Sequence, residues 1–511
     1  MELSLLLILP ILGLFTYFVV KSSVATLTRT PVWLLWLVLM TPVLVWSAWA
    51  MVNGANTAAR PPGFLLATFV VCPLLYLLLV QMGRREPNPP GSKETETTNQ
   101  TSASRQTIPP AIEESTLRPI SRQEETELRN CFPWGVYYLQ NVEYRPQAVL
   151  CRGKLRTNPE SAYKTVRENI EAEFGDRFFI IFQESFNGKP FFALVPNPQA
   201  QQSTRRTIEP VDRPGLALGL LMITLFTTTL GGAVLAAGKP IAINKPIYEL
   251  LSNPSLLLQG LPYGLALMAI LGLHELGHYL AARFYKMRTT LPYFIPVPPL
   301  SFFSLGTFGA FIQMRSPVPH RKALFDVGIA GPLAGFIVTV PILIWGLAHS
   351  SVVSLSNPSG LLTFESLNPR FSFLLTLLSK LALGSQMTPE TAINLHPVAV
   401  AGYIGLVVTA LNLMPVGQLD GGHIVHAMFG QRTGATIGRI AQLLVLVLAF
   451  QVPDLMVWAV LLFLMPVADE PALNDVSELD NWRDFLGLLA LVILVSIVLP
   501  PPSAITGLLN I

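Results

Sequence analysis

Residues 261–283 read LPYGLALMAILGLHELGHYLAAR, an apolar run that ends in a cluster of ionisable side chains. His274, Glu275 and His278 form an H-E-x-x-H motif, and residues four apart lie on one face of a helix. Both imidazoles can therefore bind one metal ion, with Glu275 as the general base that accepts a proton from water. An ionisable side chain at membrane depth costs ~2.5–3.5 kcal/mol, so this cluster predicts a functional metal site inside a transmembrane helix.

The composition indicates an integral membrane protein. The chain has 511 residues, of which 51% are hydrophobic and only 13% are charged, whereas a soluble domain contains roughly 25% charged residues. A net charge of +3 is too small to indicate nucleic-acid binding. Cys72, Cys131 and Cys151 are too few and too dispersed for a disulfide framework or a cysteine-based zinc site. We therefore predict a mainly α, polytopic bundle of transmembrane helices in a lipid bilayer.

Changes in composition divide the chain into four regions. Residues 1–82 form an N-terminal three-span membrane segment, and residues 83–128 form a flexible linker rich in Pro, Ser, Thr and Gln. Residues 129–200 form a small α+β domain with the element order ββαββ, and residues 201–511 form a larger membrane domain. The first region contains three apolar runs, at about 3–20, 32–52 and 63–82, each near the ~20 residues that span a bilayer. The total is eight to ten spans, because residues 437–466 are compatible with one long helix or two short ones, and residues 371–384 are short for a span and compatible with an interfacial segment.

Basic residues at the ends of the apolar runs predict the orientation. Arg84 and Arg85 precede the α+β domain, and Arg205, Arg206 and Arg213 follow it, so the positive-inside bias places this domain in the cytoplasm. The N-terminus has no basic leader region, so we expect a retained transmembrane helix there. The H-E-x-x-H helix is followed by basic residues at Arg283, Lys286 and Arg288. The metal site is therefore predicted to lie towards the cytoplasmic side.

The third metal ligand is predicted in the stretch LNLMPVGQLDGGH at residues 411–423. Asp420 is followed by Gly421 and Gly422, which let the chain bend and bring the carboxylate close to the two histidines. An Asp-Gly-Gly turn is also a common loop signal, so a glutamate ligand remains the alternative. The competing carboxylates are Glu365, Glu390 and Glu470, of which the first two belong to the outer loop. We expect structural or surface roles for His423 and His426.

Three motifs together resemble the site-2 protease family of intramembrane zinc metalloproteases. They are HELGH at 274–278, FDVGIAGPLAG at 325–335 and NLMPVGQLDGG at 412–422. The α+β insert and the segment SLGTFGAFI at 304–312 resemble the cyanobacterial and plastid branch of that family. The resemblance covers about residues 214–500. It implies a membrane metalloprotease domain with a core of three helices, one Zn²⁺ per chain bound by His274, His278 and Asp420, Glu275 as general base, and Asn412 holding the substrate backbone or the oxyanion.

The predicted function is that of an intramembrane zinc endopeptidase, which hydrolyses peptide bonds within transmembrane segments of other membrane proteins in regulated proteolysis. The family branch implies a multi-pass protein of the bacterial plasma membrane or the thylakoid. A proteolytically silent membrane scaffold of the same fold, and a membrane metalloprotease with a glutamate ligand, are the alternatives. No motif identifies the substrate or the oligomeric state.

Three further segments carry smaller predictions. A substrate helix must unwind before cleavage, and Leu305–Met314 is predicted to form a β-hairpin that clamps the unwound chain by strand addition, with a plain hydrophobic loop as the alternative. The small residues from Ala330 to Gly335 are predicted to serve close helix packing. Asp326, a lone carboxylate near the end of its span, is predicted to cap a helix.

Overall fold

The computed structural model describes most of the chain, and its contacts divide it into two units. The described residues are 30–53, 120–145, 148–185, 187–197, 213–236, 254–297, 305–354, 366–451 and 455–509, with positions 17, 68, 71, 72, 75, 76, 79, 82, 83 and 364. One unit comprises residues 1–108 and 444–464, and the other comprises residues 109–443 and 465–511. The predicted site residues all belong to the second unit.

The N-terminal membrane segment contributes helix α1 (Val32–Asn53), which coincides with the second of the predicted apolar runs. Its sequence is strongly apolar on all sides, as expected for a helix surrounded by lipid or by other helices. The predicted runs at about 3–20 and 63–82 lie outside the described residues apart from isolated positions.

A four-stranded antiparallel sheet with two helices forms the small α+β domain. Its elements are α2 (Arg122–Asn130), β1 (Tyr137–Arg145), β2 (Ala148–Leu155), α3 (Pro159–Phe174), β3 (Phe178–Glu184) and β4 (Pro190–Pro196), and the strand order is β1-β2-β4-β3. The side chain of Asn158 caps α3, and Pro159 occupies its first turn. Helix α2 begins inside the stretch assigned above to the flexible linker, because Ser121 and Glu124 form a capping box that starts a helix there.

The larger membrane domain starts with long apolar helices separated by short strands. Its first elements are α4 (Pro214–Ala236), α5 (Pro254–Phe284), β5 (Tyr293–Pro296), β6 (Thr307–Phe311), α6 (Arg321–Ala348) and β7 (Ser351–Ser354). Helix α5 packs against both α4 and α6. The backbones approach closely: a Cβ at Gly277 of α5 would lie 2.5 Å from the carbonyl oxygen of Ala330 on α6. Small residues therefore let the helices of this core come into contact.

The second half of the membrane domain contains shorter helices. Its elements are α7 (Phe373–Leu383), β8 (Thr391–Asn394), α8 (Pro397–Leu413), α9 (Asp420–Phe429), α10 (Gln431–Gln451), α11 (Met456–Leu464), α12 (Asn481–Val498) and α13 (Ser503–Leu509). The stretch 437–466 thus contains parts of two helices, α10 and α11. Helix α8 packs against both α5 and α6, which completes a three-helix core.

The prediction of a mainly helical fold with apolar helices of membrane-spanning length is confirmed. Among the described residues, five helices are long and apolar enough to cross a membrane: α4, α5 from Leu257, α6, α10 as far as Phe450, and α12. Helix α8 is also apolar but shorter, with 17 residues. The predicted total of eight to ten spans stays a prediction, since much of the N-terminal segment lies outside the described residues.

Candidate metal centre

His274, His278 and Asp420 meet at one point in the core of the membrane domain. The two histidines lie on α5, and Asp420 is the first residue of α9. The two Nε2 atoms are 3.2 Å apart, and Asp420 Oδ2 lies 3.5 Å from His274 Nε2 and 3.3 Å from His278 Nε2. Ligand atoms ~2.0–2.1 Å from a tetrahedral zinc ion would be about 3.3–3.4 Å apart. These three residues therefore fit three corners of a zinc site, with one position left for water or substrate.

The ring of His278 is oriented for metal binding by helix α6. Its Nδ1 donates a hydrogen bond to the carbonyl oxygen of Val327 at 2.8 Å, which leaves Nε2 with a free lone pair. The ring lies directly over Gly331: a Cβ there would be 2.5 Å from Cε1 and closer still to Nε2. A Cβ at Gly335 would lie 3.2 Å from His274.

The prediction that the small residues from Ala330 to Gly335 serve helix packing was therefore incomplete. Gly331 makes room for a ligand ring, and Gly335 lies against the second ligand. The sequence signal was the four-residue spacing of these two glycines, which matches the four-residue spacing of the two histidines. Two glycines and two histidines with this spacing can face each other across a pair of packed helices.

Asp420 reaches the histidines because a close turn precedes it. Gly421 and Gly422 were predicted to bend the chain, but they form the first turn of α9. Cβ atoms on these glycines would overlap the carbonyl oxygens of Leu413 and Gly417. The glycines are thus required for close contact between α9 and the loop before it, and this contact brings Asp420 towards α5.

Glu275 and Asn412 adjoin the three ligands. Glu275 is buried on α5, and the backbone of Ile312, just beyond β6, lies beside its carboxylate. The Asn412 side chain lies at the end of α8, with Nδ2 3.2 Å from His274 Nε2. The Nε2 lone pair of His274 faces this amide, and a metal ion would bind the same lone pair. A carboxylate and a hydrogen-bond donor therefore lie within reach of the same candidate metal position.

The geometry favours aspartate over glutamate as the third ligand. Within the parts of the chain that the structure describes, the one group of three ligand atoms close enough for a metal ion is His274, His278 and Asp420. Glu390 and Glu470 are exposed and do not belong to it. Glu365 lies outside the described residues.

Asp326 does not cap its helix as predicted. The residue before α6 is His320, whose Nδ1 accepts the hydrogen bond from the backbone N–H of Ala323 at 3.1 Å. Asp326 instead receives two hydrogen bonds from the guanidinium of Arg483, at 2.8 and 2.7 Å, and one from the hydroxyl of Tyr285. Its position in the second turn of α6 is too far inside the helix for the free N–H groups of the first turn.

His426 and His423 form a second polar cluster away from the metal ligands. His426 is almost fully buried, and both of its ring nitrogens face carboxylates, Asp469 and Asp475. Burial disfavours the charged ring, but the two hydrogen bonds outweigh it and raise the pKa of His426 to about 9. His423 donates to the same Asp469 at 2.8 Å. Both histidines are thus tied into the fold.

Comparisons with known proteins agree with the geometry. Residues 263–452 match the model of peptidase family M50, and residues 126–203 match the EGY3 middle domain. "Probable zinc metalloprotease EGY2, chloroplastic" of Arabidopsis thaliana is 29% identical over 384 residues, which are 74% of this chain and 64% of the relative. "Probable zinc metalloprotease EGY1, chloroplastic" of the same plant is 30% identical over 376 residues, 69% of this chain and 66% of the relative.

The chain thus spans a little under two thirds of the length of both relatives. No solved structure matches the chain. The matched M50 region contains the H-E-x-x-H motif, Asn412 and Asp420, and both relatives carry the name "probable zinc metalloprotease". The predicted family is therefore confirmed for this region, and the names of the relatives agree with the predicted enzyme class and metal. Residues 263–452 of this chain are a domain of peptidase family M50, the site-2 protease family of zinc metalloproteases.

Proposed function

We propose that the chain is an intramembrane zinc endopeptidase that hydrolyses peptide bonds within transmembrane segments of other membrane proteins. The observation that supports this most directly is that Asp420 meets His274 and His278 beside Glu275, and that these two histidines lie on a helix apolar enough to cross a membrane. A soluble substrate would have little access to a buried site on such a helix. A transmembrane segment that diffuses in the same bilayer would reach it from the side.

Each residue of the site has a distinct task in this reaction. His274, His278 and Asp420 would hold a zinc ion, which would supply an activated water molecule and polarise a peptide carbonyl. Glu275 accepts the proton from the attacking water and passes it to the leaving amine. The Asn412 amide, beside His274, donates a hydrogen bond to the substrate carbonyl or backbone. Val327 and Gly331 keep the His278 ring in place while the substrate binds.

The membrane and the orientation are part of the same proposal. The positive-inside bias supports a metal site towards the cytoplasmic side of a bacterial plasma membrane, or the equivalent side of a thylakoid. The relatives with a chloroplastic designation support the thylakoid branch of this proposal. The partners are then transmembrane protein substrates and the surrounding lipid.

Metal removal tests the proposed function. The full chain would be reconstituted in liposomes with a single-span membrane protein, and the fragments would be mapped by mass spectrometry. We expect cleavage within the apolar segment, its loss after treatment with a zinc chelator, and its recovery on addition of Zn²⁺. Cleavage that survives a chelator able to empty the site would contradict the proposal. Stoichiometric zinc without cleavage of any membrane substrate would favour the silent scaffold.

Strand β6 is a candidate surface for holding an unwound substrate. It pairs with β5 in a two-stranded antiparallel sheet, so the predicted hairpin at Leu305–Met314 supplies only its second strand. The pairing is irregular between Phe294 and Pro296, opposite Gly309, which has φ +106°. Because β6 leads to Ile312 beside Glu275, an extended substrate paired along it would pass the general base.

Gly309→Pro is expected to reduce cleavage strongly while the protein still binds zinc. Proline locks φ near −65° and removes the N–H that Gly309 donates to Thr307 Oγ1 at 3.0 Å, so β6 cannot keep its course. Gly309→Ala is the matched control. A Cβ there meets nothing within 4 Å, and only the positive φ opposes it, so the expected loss is smaller. Unchanged cleavage by Gly309→Pro would rule out the clamp.

A further inference from the structure

A buried polar network connects the zinc-ligand helix α9 to residues 469–477, which we name the coupling segment. His426 of α9 lies between two carboxylates of this segment: its Nδ1 is 2.9 Å from Asp469 Oδ2, and its Nε2 is 2.9 Å from Asp475 Oδ1. His423, one turn earlier on α9, contacts the same Asp469 oxygen at 2.8 Å. Since the His426 ring is held from both sides, α9 cannot slide or rotate without breaking these bonds.

Helix α9 is also fixed by the close contact of Gly421 and Gly422 with the loop before it. Its N-cap is Leu419, which forms no side-chain capping bond. Its far end is fixed by Arg321, whose Nε donates to the carbonyl oxygen of Ala427 at 2.8 Å. Because Asp420 is the first residue of α9, any shift of this helix along its axis moves the carboxylate relative to His274 and His278. The histidine–aspartate network is thus well placed to set the position of a zinc ligand.

The coupling segment is also part of the α+β domain. Strand β3 is an edge strand of the sheet, and the Phe182 N–H donates to the carbonyl oxygen of Leu473 at 2.6 Å. The Asp475 N–H donates to the carbonyl oxygen of Phe182 at 2.9 Å, so the segment adds to this edge as a short parallel strand. Val476 is buried in the hydrophobic core of the α+β domain. Asp475 therefore bonds to the α+β domain through its backbone N–H, and to His426 of α9 through its carboxylate.

We propose that His426, Asp469 and Asp475 are positioning residues for Asp420, and that docking of the α+β domain on the coupling segment sets the geometry of the zinc site. The inference rests on zinc binding by His274, His278 and Asp420 as proposed above. When the sheet edge holds the coupling segment, its two carboxylates hold His426, and α9 presents Asp420 to the two histidines. When the domain undocks, the carboxylates are released and the third ligand loses its fixed position.

Asp475→Asn tests the positioning role in the full-length protein. Asparagine keeps the size of the side chain but removes the charge that faces His426, so α9 is held less firmly. We expect zinc affinity, measured by competition with a chromophoric chelator, to fall by about tenfold at most. This is the lower end of the cost of losing a partner bonded directly to a metal ligand, because Asp475 acts on Asp420 only through His426 and α9. Glu478→Gln is the matched control, because Glu478 is an exposed acidic residue of the same chain stretch. Zinc affinity equal to wild type in Asp475→Asn would overturn the inference.

Hydrogen exchange of the wild-type protein tests the coupling without any substitution. Coupling is reciprocal, so zinc must stabilise docking by the same factor by which docking strengthens zinc binding. The Phe182 and Asp475 amides, which form the bonds across the sheet edge, are expected to exchange more slowly in zinc-loaded than in chelator-treated protein. The Asp420→Ala variant should show no such difference.

The outcomes separate this inference from the proposed function. Equal exchange of these two amides with and without zinc, in a wild-type protein that binds zinc, would overturn the coupling alone. A wild-type protein that binds no zinc would overturn both. Slower exchange with zinc, together with weaker zinc binding in Asp475→Asn, would support both.

Discussion

Glu275→Gln is expected to lower the rate of peptide-bond hydrolysis by about 10²–10⁴-fold, the usual contribution of a general base. Glutamine has the shape of glutamate but cannot take a proton from water. Glu275 is not one of the three ligand residues, so the variant should bind zinc like the wild type. The measurement is the single-turnover rate on a reconstituted membrane substrate, with zinc per chain determined on the same samples.

This variant also distinguishes the protease from the scaffold. If the protein is a protease, Glu275→Gln should still bind its substrate without cleaving it, so the substrate should co-purify with the variant. Asp420→Ala serves as the comparison, because it should lose zinc and activity together. Hydrolysis at the wild-type rate by Glu275→Gln would mean that another group accepts the proton. Loss of zinc in this variant would mean that Glu275 is a ligand.

The sequence predicted the metal site because its chemistry is local. His274 and His278 are one helical turn apart, so their meeting needs no knowledge of the tertiary fold. Asp420 is distant in sequence, and the residues alone left a glutamate possible. The structure favours Asp420 because α9 packs against the loop before it, where Gly421 and Gly422 allow close backbone contact. A turn signal and a helix start look alike in sequence when both contain glycine.

The remaining differences arise from contacts between distant segments. Asp326 was expected to cap a helix, and its actual partner is Arg483 on α12. The role of His426 depends on Asp469 and Asp475, which lie outside every motif that the sequence revealed. An isolated charged residue near a helix end has several possible partners, and only the packing of the helices decides among them. Secondary structure was easier to predict, since it depends on residue spacing and caps within each segment.

Gly331→Ala is expected to remove zinc binding from an otherwise folded protein. The added methyl group would overlap the His278 ring, which is held in place by its bond to Val327 and cannot easily move away. If the His278 ring rotates away from the metal position, one of three protein ligands is lost. Zinc affinity should then fall by more than the ~100-fold cost of losing an outer-shell partner. Alanine stabilises a helix by about 1 kcal/mol relative to glycine, so a loss of zinc binding should not result from a less stable helix.

Two matched substitutions make this test specific. Gly219→Ala on α4 adds the same methyl group where nothing lies within 4 Å, so zinc binding should stay at the wild-type level. Gly335→Ala places the methyl 3.2 Å from His274, a contact that a shift of a few tenths of an ångström relieves, and its effect should be intermediate. Zinc per chain and thermal unfolding would be measured for all three variants. Wild-type zinc content in Gly331→Ala would show that His278 does not bind the metal in the orientation described here, because this orientation has no space for the methyl group.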